Sequence, residues 1–162
     1  MRDWFIENAL ESDTDALVTM WSALDAHSTK PRPFGGAGIS KQERTRLTIE
    51  HAMQSPDANV LIARTHATKA LSTIGTISGH VFTNNAVKLA KVGVIYSLWV
   101  EPEYRNRGIG HELVSTIEDA MRNSGAQALQ VGWDSENKTI SQWWQQHGYG
   151  PYEVIASKVL KT

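Results

Sequence analysis

No cysteine occurs in the 162 residues, which excludes a disulfide scaffold, a thiolate zinc site and a protein-thiol nucleophile. A surplus of one charge is also missing. The formal net charge is -1, so the chain has no global attraction to nucleic acid or an anionic membrane, and any anion site has to be local. Nowhere do roughly eighteen apolar residues run together. The opening residues, Met1-Arg2-Asp3-Trp4-Phe5-Ile6-Glu7, are interrupted by charge and lack the apolar run of a signal peptide. Internal repeats, low-complexity tracts and linkers are absent as well. What remains, 41% hydrophobic and 20% charged, is an ordinary composition for one domain over residues 1–162. The expectation is a cytoplasmic protein with no nucleic-acid, membrane or metal partner.

Along the chain, Ser12-Asp13-Thr14-Asp15 has the pattern of an N-cap hydroxyl with a carboxylate three residues on. Leu17, Met20, Trp21 and Leu24 then recur at helical spacing, predicting a first helix that ends near His27. Lys30 to Gly38 is dense in proline and glycine and reads as a loop. Ser40-Lys41-Gln42-Glu43 opens a second helix that runs to about Met53 and stops near Ser55-Pro56. The period then shortens to strands over Val60–Arg64, Thr73–Thr83 and Val92–Val100, with Asn84-Asn85 as a turn, which predicts an antiparallel meander. In the third run Val94, Tyr96, Leu98 and Val100 alternate with Ile95 and Trp99, as expected of a central strand covered on both faces. A helix from Gly108 to Ser124-Gly125, a strand over Ala128–Trp133, a helix from about Asn137 to His147 and a terminal strand over Tyr152–Leu160 complete an α/β fold. Its sheet is mixed and mostly antiparallel, flanked by helices.

The strongest local signal is the junction where the apolar run ends at Val100-Glu101-Pro102 and enters a helix through Arg105-Asn106-Arg107-Gly108-Ile109-Gly110. The first N–H groups of a helix have no intrahelical partner and sit at the positive end of its dipole, so they suit a phosphate. Gly108 and Gly110 allow close backbone approach, and Arg105 and Arg107 add charge. A third glycine at Leu113 would be needed for a dinucleotide fingerprint, and Gly-Lys-Ser/Thr for a P-loop; both are missing.

This junction resembles the hallmark of the GNAT superfamily of acetyl-CoA-dependent N-acyltransferases: an apolar strand, Val-x-Pro-x-x-Arg, then Arg/Gln-x-x-Gly-x-Gly/Ala opening a helix. Asn137, Trp143-Trp144 and Gly148-Tyr149 are similar to a second family pattern, an asparagine opening a helix that leads to an aromatic and Gly-Phe or Gly-Tyr. The resemblance implies a GNAT-like fold with acetyl-CoA as cosubstrate. It implies that the backbone of Arg105, Asn106, Arg107, Gly108, Ile109, Gly110 and His111 binds the pyrophosphate. It further implies that Leu98, Trp99 and Val100 pair with the pantetheine arm, that Asn137 and Trp144 lie near that arm, and that the Leu98 N–H polarises the thioester carbonyl. His111 is read as lending its N–H rather than as a base. A small-molecule amine is the implied acceptor. A homodimer is compatible with the family, with the terminal strand from Tyr152 as an edge for pairing.

The implied reaction is attack of the amine on the acetyl carbonyl through a tetrahedral intermediate. A lysine-like amine has a pKa of ~10.4, and presenting it neutral at pH 7 costs ~4–5 kcal/mol unless a base or a depressed pKa helps. Asp134 and His80 are the candidate bases; their alternatives are a turn or cap in Asp134-Ser135-Glu136-Asn137 and a half-exposed strand position. Many family members place a tyrosine four residues before the glycine of the Gly-Phe pattern, as the acid for the leaving thiolate. Here that position is Trp144, whose indole does not donate a proton as an acid, so that role does not carry over. Trp21, His27, Phe34 and Gly35 to Gly38 fall where the family shapes its acceptor pocket, although Trp21 also reads as core. A catalytically silent acyl-CoA sensor and a protein or peptide acetyltransferase are the alternative functions.

Overall fold

A computed structural model describes residues 2–27, 40–66, 71–83 and 90–153. Its elements are β1 (Trp4–Asn8), α1 (Thr14–Ala26), α2 (Lys41–Gln54), β2 (Ala58–Thr65), β3 (Ser72–Thr83), β4 (Lys91–Val100), α3 (Ile109–Asn123), β5 (Ala128–Val131) and α4 (Lys138–Gln146). The strands form one sheet in the order β1-β2-β3-β4-β5. The first three pairings are antiparallel. β5 runs parallel to β4, as the α3 crossover requires. The α/β fold with a mixed, mostly antiparallel sheet is therefore observed.

The sheet is covered on both faces, and β2 shows the division. Its alternate residues Leu61 and Ala63 join the core beneath α3, with Ile74, Ile77, Leu113, Ile117 and Met121. Val60 and Ile62 point the other way, into a second core with Leu17, Val18, Trp21 and Ile49 of α1 and α2. The stripe Ile109, Leu113, Val114, Ile117 and Met121 makes α3 the most strongly amphipathic long helix, and all five are at most 1% exposed. Each such burial stabilises by roughly 1.5–3 kcal/mol. The helix can sit this close because a Cβ at Gly79 would fall 2.0 Å from Met121 Cε and one at Gly93 would fall 2.7 Å from its Sδ.

Two details depart from the sequence expectation. Trp4–Asn8, where charge had hidden any pattern, is an edge strand: Trp4 is buried and Phe5 stacks on His66 at 5.1 Å. The start of α1 is not capped by Ser12. A 3-10 turn over Glu11–Asp13 precedes the helix, and the Asp13 carboxylate accepts the Leu10 N–H at 2.8 Å. Asp13 is drawn inward because Arg64 of β2 donates Nη2 to both of its oxygens, at 2.8 and 2.9 Å, while Arg64 Nε bonds Glu7 of β1. By contrast, Ser40 caps α2 as expected, its Oγ accepting the Glu43 N–H at 3.1 Å.

The loop expected over Lys30–Gly38, the Asn84-Asn85 turn and the terminal strand beyond Glu153 lie outside the described residues; Tyr152 itself is exposed and in no strand. Among the described residues, no helix is long and apolar enough to cross a membrane.

Candidate functional site

The site begins with a break in β4. Ser97 has a φ of 59°, and the pairing with β3 shifts between Thr76↔Trp99 and Ser78↔Tyr96, so Ser97 and Leu98 together stand opposite Ile77. This bulge reverses which side chains face which layer. Before it, Ile95 faces the α3 core; after it, Leu98 and Val100 do, while Tyr96 and Trp99 join the α1 side. The strict alternation expected of Val94, Tyr96, Leu98 and Val100 is therefore corrected: one extra residue swaps the faces.

Pairing of β4 with β5 ends at Ile95↔Val131. From Tyr96 to Val100 that edge of β4 faces no strand among the described residues, and its backbone polar groups are open to an extended partner. β5 is correspondingly shorter than the predicted Ala128–Trp133.

Beyond the open edge, Pro102–Tyr104 form a 3-10 turn, Asn106 has a φ of 61° and Gly108, the N-cap of α3, a φ of 82°. No side chain caps α3. Glu112 N–H is the first to bond back, to Gly108 O at 3.1 Å. The N–H groups of Ile109, Gly110 and His111 have no backbone acceptor among the described residues and point out of the helix start, which is a place for an anion. A Cβ at Gly108 would meet nothing within 4 Å, so glycine is required there by its positive φ. At Gly110 a Cβ would stand 3.5 Å from Trp143 Cζ2, which places α4 beside the helix start.

The arginine side chains brace the loop. Arg105 donates Nε to Val100 O at 2.9 Å and lays its guanidinium 4.7 Å from the Trp99 ring centroid. Arg107 donates Nη2 to Glu103 O at 2.9 Å and lies over Tyr104. Their positive charge stays beside the free N–H groups even though the side chains are tied to the loop. His111 Nδ1 lies 2.9 Å from His147 Nε2, and His147 Nδ1 lies 2.8 Å from Trp143 O.

Asn137 caps α4, its Oδ1 accepting the Ile140 N–H at 3.1 Å. Asp134 holds the preceding turn, accepting the Glu136 N–H at 3.0 Å on Oδ1 and the Asn137 N–H at 2.9 Å on its carbonyl. His80 is half-buried on β3 opposite Val94, on the β5-paired part of β4, with its ring 4.4 Å from that of Phe82. Trp144 is 3% exposed and packs edge-on against Tyr149 at 5.2 Å in the core. The Tyr149 hydroxyl donates to Glu118 at 2.7 Å, and burial together with that carboxylate pushes the phenol well above its ordinary range. On the α1 side, Trp21 meets Tyr96 edge-on at 6.0 Å and His27 meets Trp99 at 5.0 Å. Burial raises the Tyr96 hydroxyl, so it stays neutral.

The open β4 edge and the α3 start are thus brought together, with Asn137 and Asp134 on the segment leaving β5. The His111–His147 contact and the Tyr96, Trp99 and Arg105 grouping were not foreseen: histidines thirty-six positions apart carry no joint signal, and the bulge that turns Tyr96 and Trp99 to one side is invisible to periodicity.

Residues 20–149 match the family described as the acetyltransferase (GNAT) family. A mycothiol acetyltransferase of Propionibacterium freudenreichii subsp. shermanii is 24% identical over 145 residues, 89% of this chain and 42% of that protein, so the chain spans less than half of this relative's length. Among solved structures, a predicted acetyltransferase from Clostridium acetobutylicum with acetyl-CoA aligns with a TM-score of 0.75 at 11% identity, covering 96% of each chain. An aminoglycoside acetyltransferase from an uncultured soil metagenomic sample, in complex with sisomicin, aligns with a TM-score of 0.71 at 16% identity, covering 98% of this chain and 97% of that one.

Proposed function

The chain belongs to the GNAT acetyltransferase family, and from that premise we propose that it is an N-acetyltransferase moving the acetyl group of acetyl-CoA to the primary amine of a small molecule. The observation that carries the reading is the pairing of an open β4 edge with an uncapped α3 start. A coenzyme A arm needs both. Its amide-bearing pantetheine needs an extended backbone partner, which Leu98, Trp99 and Val100 offer. Its pyrophosphate needs convergent donors, which Arg105 through His111 offer, with the Gly108 φ of 82° shaping the cradle. Asn137 and Trp144 belong to the segment that would flank the arm.

In the chemistry proposed, the amine attacks the acetyl carbonyl, the carbonyl oxygen gains negative charge and the thiolate leaves. The Leu98 N–H, placed just past the bulge, is the donor for that oxygen. Asp134 is the preferred base, since it follows β5 where the two strands part, whereas His80 sits opposite the paired part of β4. The thiolate, with an intrinsic pKa of ~8.5, leaves near neutrality without a protein acid. A small acceptor accords with the sisomicin bound to the metagenomic relative. A cytoplasmic setting and a homodimer complete the proposal.

The test is thiol release from acetyl-CoA over a panel of amines, amino acids, aminoglycosides and peptides, alongside titration of acetyl-CoA. Acceptor-dependent release with small amines supports the proposal. Tight binding without turnover favours the sensor reading suggested by Trp144, and turnover confined to peptides favours a protein acetyltransferase.

A further inference from the structure

Two imidazoles meet beside the uncapped start of α3. His111 lies in the first turn of that helix and is exposed to solvent, and its own N–H is among those left without a backbone acceptor. Helical side chains lean toward the N-terminus of their helix, so the His111 ring lies over the first turn, on the side where an anion would sit. His147 fixes how that ring can be protonated. Its Nδ1 lies 2.8 Å from the Trp143 carbonyl oxygen, which only accepts, so His147 presents Nε2 as an acceptor and His111 Nδ1, 2.9 Å away, is the donor. That leaves His111 Nε2 as the nitrogen of the pair that can take a proton without breaking this bond. The bond then becomes charge-assisted. A further proton would set N–H against N–H, so the pair holds one extra charge and no more.

The other charged groups nearby are already engaged. Arg105 and Arg107 of the preceding loop are tied to the Val100 and Glu103 carbonyls. Glu112, the next residue of α3, is paired with Arg2. In the groove that His147 lines with α3, Glu118 accepts the Tyr149 hydroxyl and Arg122 pairs with Asp119. The empty helix start itself disfavours a cation, because its dipole is positive there. A phosphate held by the same N–H groups reverses that balance.

Resting on the acetyl-CoA reading above, we propose that the His111 side chain is a coenzyme-binding residue: it takes up a proton from solvent as the pyrophosphate enters the α3 cradle, and the imidazolium, donating Nδ1–H to His147, adds a positive charge beside the phosphates. The complex therefore binds more protons than the free protein, and coenzyme affinity rises as pH falls through the range in which imidazoles change charge.

Titration calorimetry of acetyl-CoA into the protein, in two buffers of different ionisation enthalpy, counts the protons taken up. The 3′-phosphate of the coenzyme titrates in the same range and contributes alike to every variant, so the difference between proteins is the readout. Near neutral pH wild type should take up about half a proton more than His111→Gln, and between pH 8 and pH 6 its affinity should rise about fivefold more than that of the variant. His111→Lys carries a charge throughout this range; it should bind acetyl-CoA more tightly than His111→Gln, with the same pH profile as that variant. A purely structural histidine pair would leave proton uptake unchanged and be weakened alike by both substitutions. If His111→Gln fails to fold, the same proton count is compared between wild type and His111→Lys. Equal uptake by wild type and variant, or His111→Lys binding no tighter than His111→Gln, overturns the inference and leaves the coenzyme reading standing. Failure of wild type to bind acetyl-CoA at any pH overturns the coenzyme reading, and this one with it.

Discussion

His111 Nδ1 and His147 Nε2 meet at 2.9 Å and tie the first turn of α3 to the end of α4. The direction of the bond follows from the far side of His147, whose Nδ1 lies 2.8 Å from the Trp143 carbonyl. A carbonyl only accepts, so His147 carries its proton on Nδ1 and accepts on Nε2, and His111 must donate from Nδ1. Nitrogen-15 NMR near neutral pH should find the Nδ1–H tautomer in both rings, and an Nε2–H ring at either position contradicts the arrangement. His147→Ala should lower stability by about 0.5–1.5 kcal/mol in urea unfolding, the worth of an ordinary hydrogen bond.

Gly108 and Gly110 should respond oppositely to alanine. At Gly108 the φ of 82° strains any L side chain, and Gly108→Ala should cost about 1–2 kcal/mol although its Cβ meets nothing within 4 Å. At Gly110 the new Cβ would rest at ordinary contact distance from Trp143, and Gly110→Ala should leave stability within about 0.5 kcal/mol. Denaturant midpoints of the two variants decide it. In the Gly108 variant, acetyl-CoA affinity should fall by a larger factor than the stability loss accounts for.

Asp13→Ala should be among the costliest changes outside the cores. Arg64, whose side chain is 13% exposed, would keep Glu7 but lose the partner that accepts two of its hydrogen bonds, and the Leu10 N–H would lose its acceptor. The expected loss is roughly 3 kcal/mol, at the low end for breaking a buried pair because Glu7 remains. Equilibrium unfolding measures it. A double change that also replaces Arg64 with methionine should recover part of the loss, since no buried charge is then stranded.

Tyr149 makes alkaline stability a readout of the α3–α4 contact. Its phenol is raised in the folded protein by burial, with the Glu118 hydrogen bond and charge adding to it. The folded state therefore holds the proton more tightly than the unfolded chain does. That contribution is complete below the unfolded value of ~10 and is lost as pH rises beyond it toward the folded value. Wild type should lose stability above about pH 10, and Tyr149→Phe should show a flatter profile there. Parallel profiles for the two proteins would remove the tyrosine from the explanation.

Most helices were legible because their signals are local. The α3 stripe from Ile109 to Met121 has helical period, and the Ser40-to-Glu43 cap of α2 is written in four consecutive residues. β1 was missed for the complementary reason: five residues with Glu7 among them carry little alternation, and it is pairing with β2 that makes Trp4–Asn8 a strand. The Ser12 cap was overruled by Arg64, a residue fifty-one positions beyond Asp13.

By itself the sequence determined the order of the main elements and the strand–glycine–helix junction from Val100 to Gly110, because hydrophobic period, glycine placement and a helix start are properties of neighbouring residues. Only the tertiary structure decided the rest. The β4–β5 pairing stops at Ile95, the bulge at Ser97 turns Leu98 toward one layer and Trp99 toward the other, and the His111–His147 contact seats α4 on the helix start. Those features depend on register and on packing between distant segments, and a one-residue shift in register leaves no mark on the order of the residues.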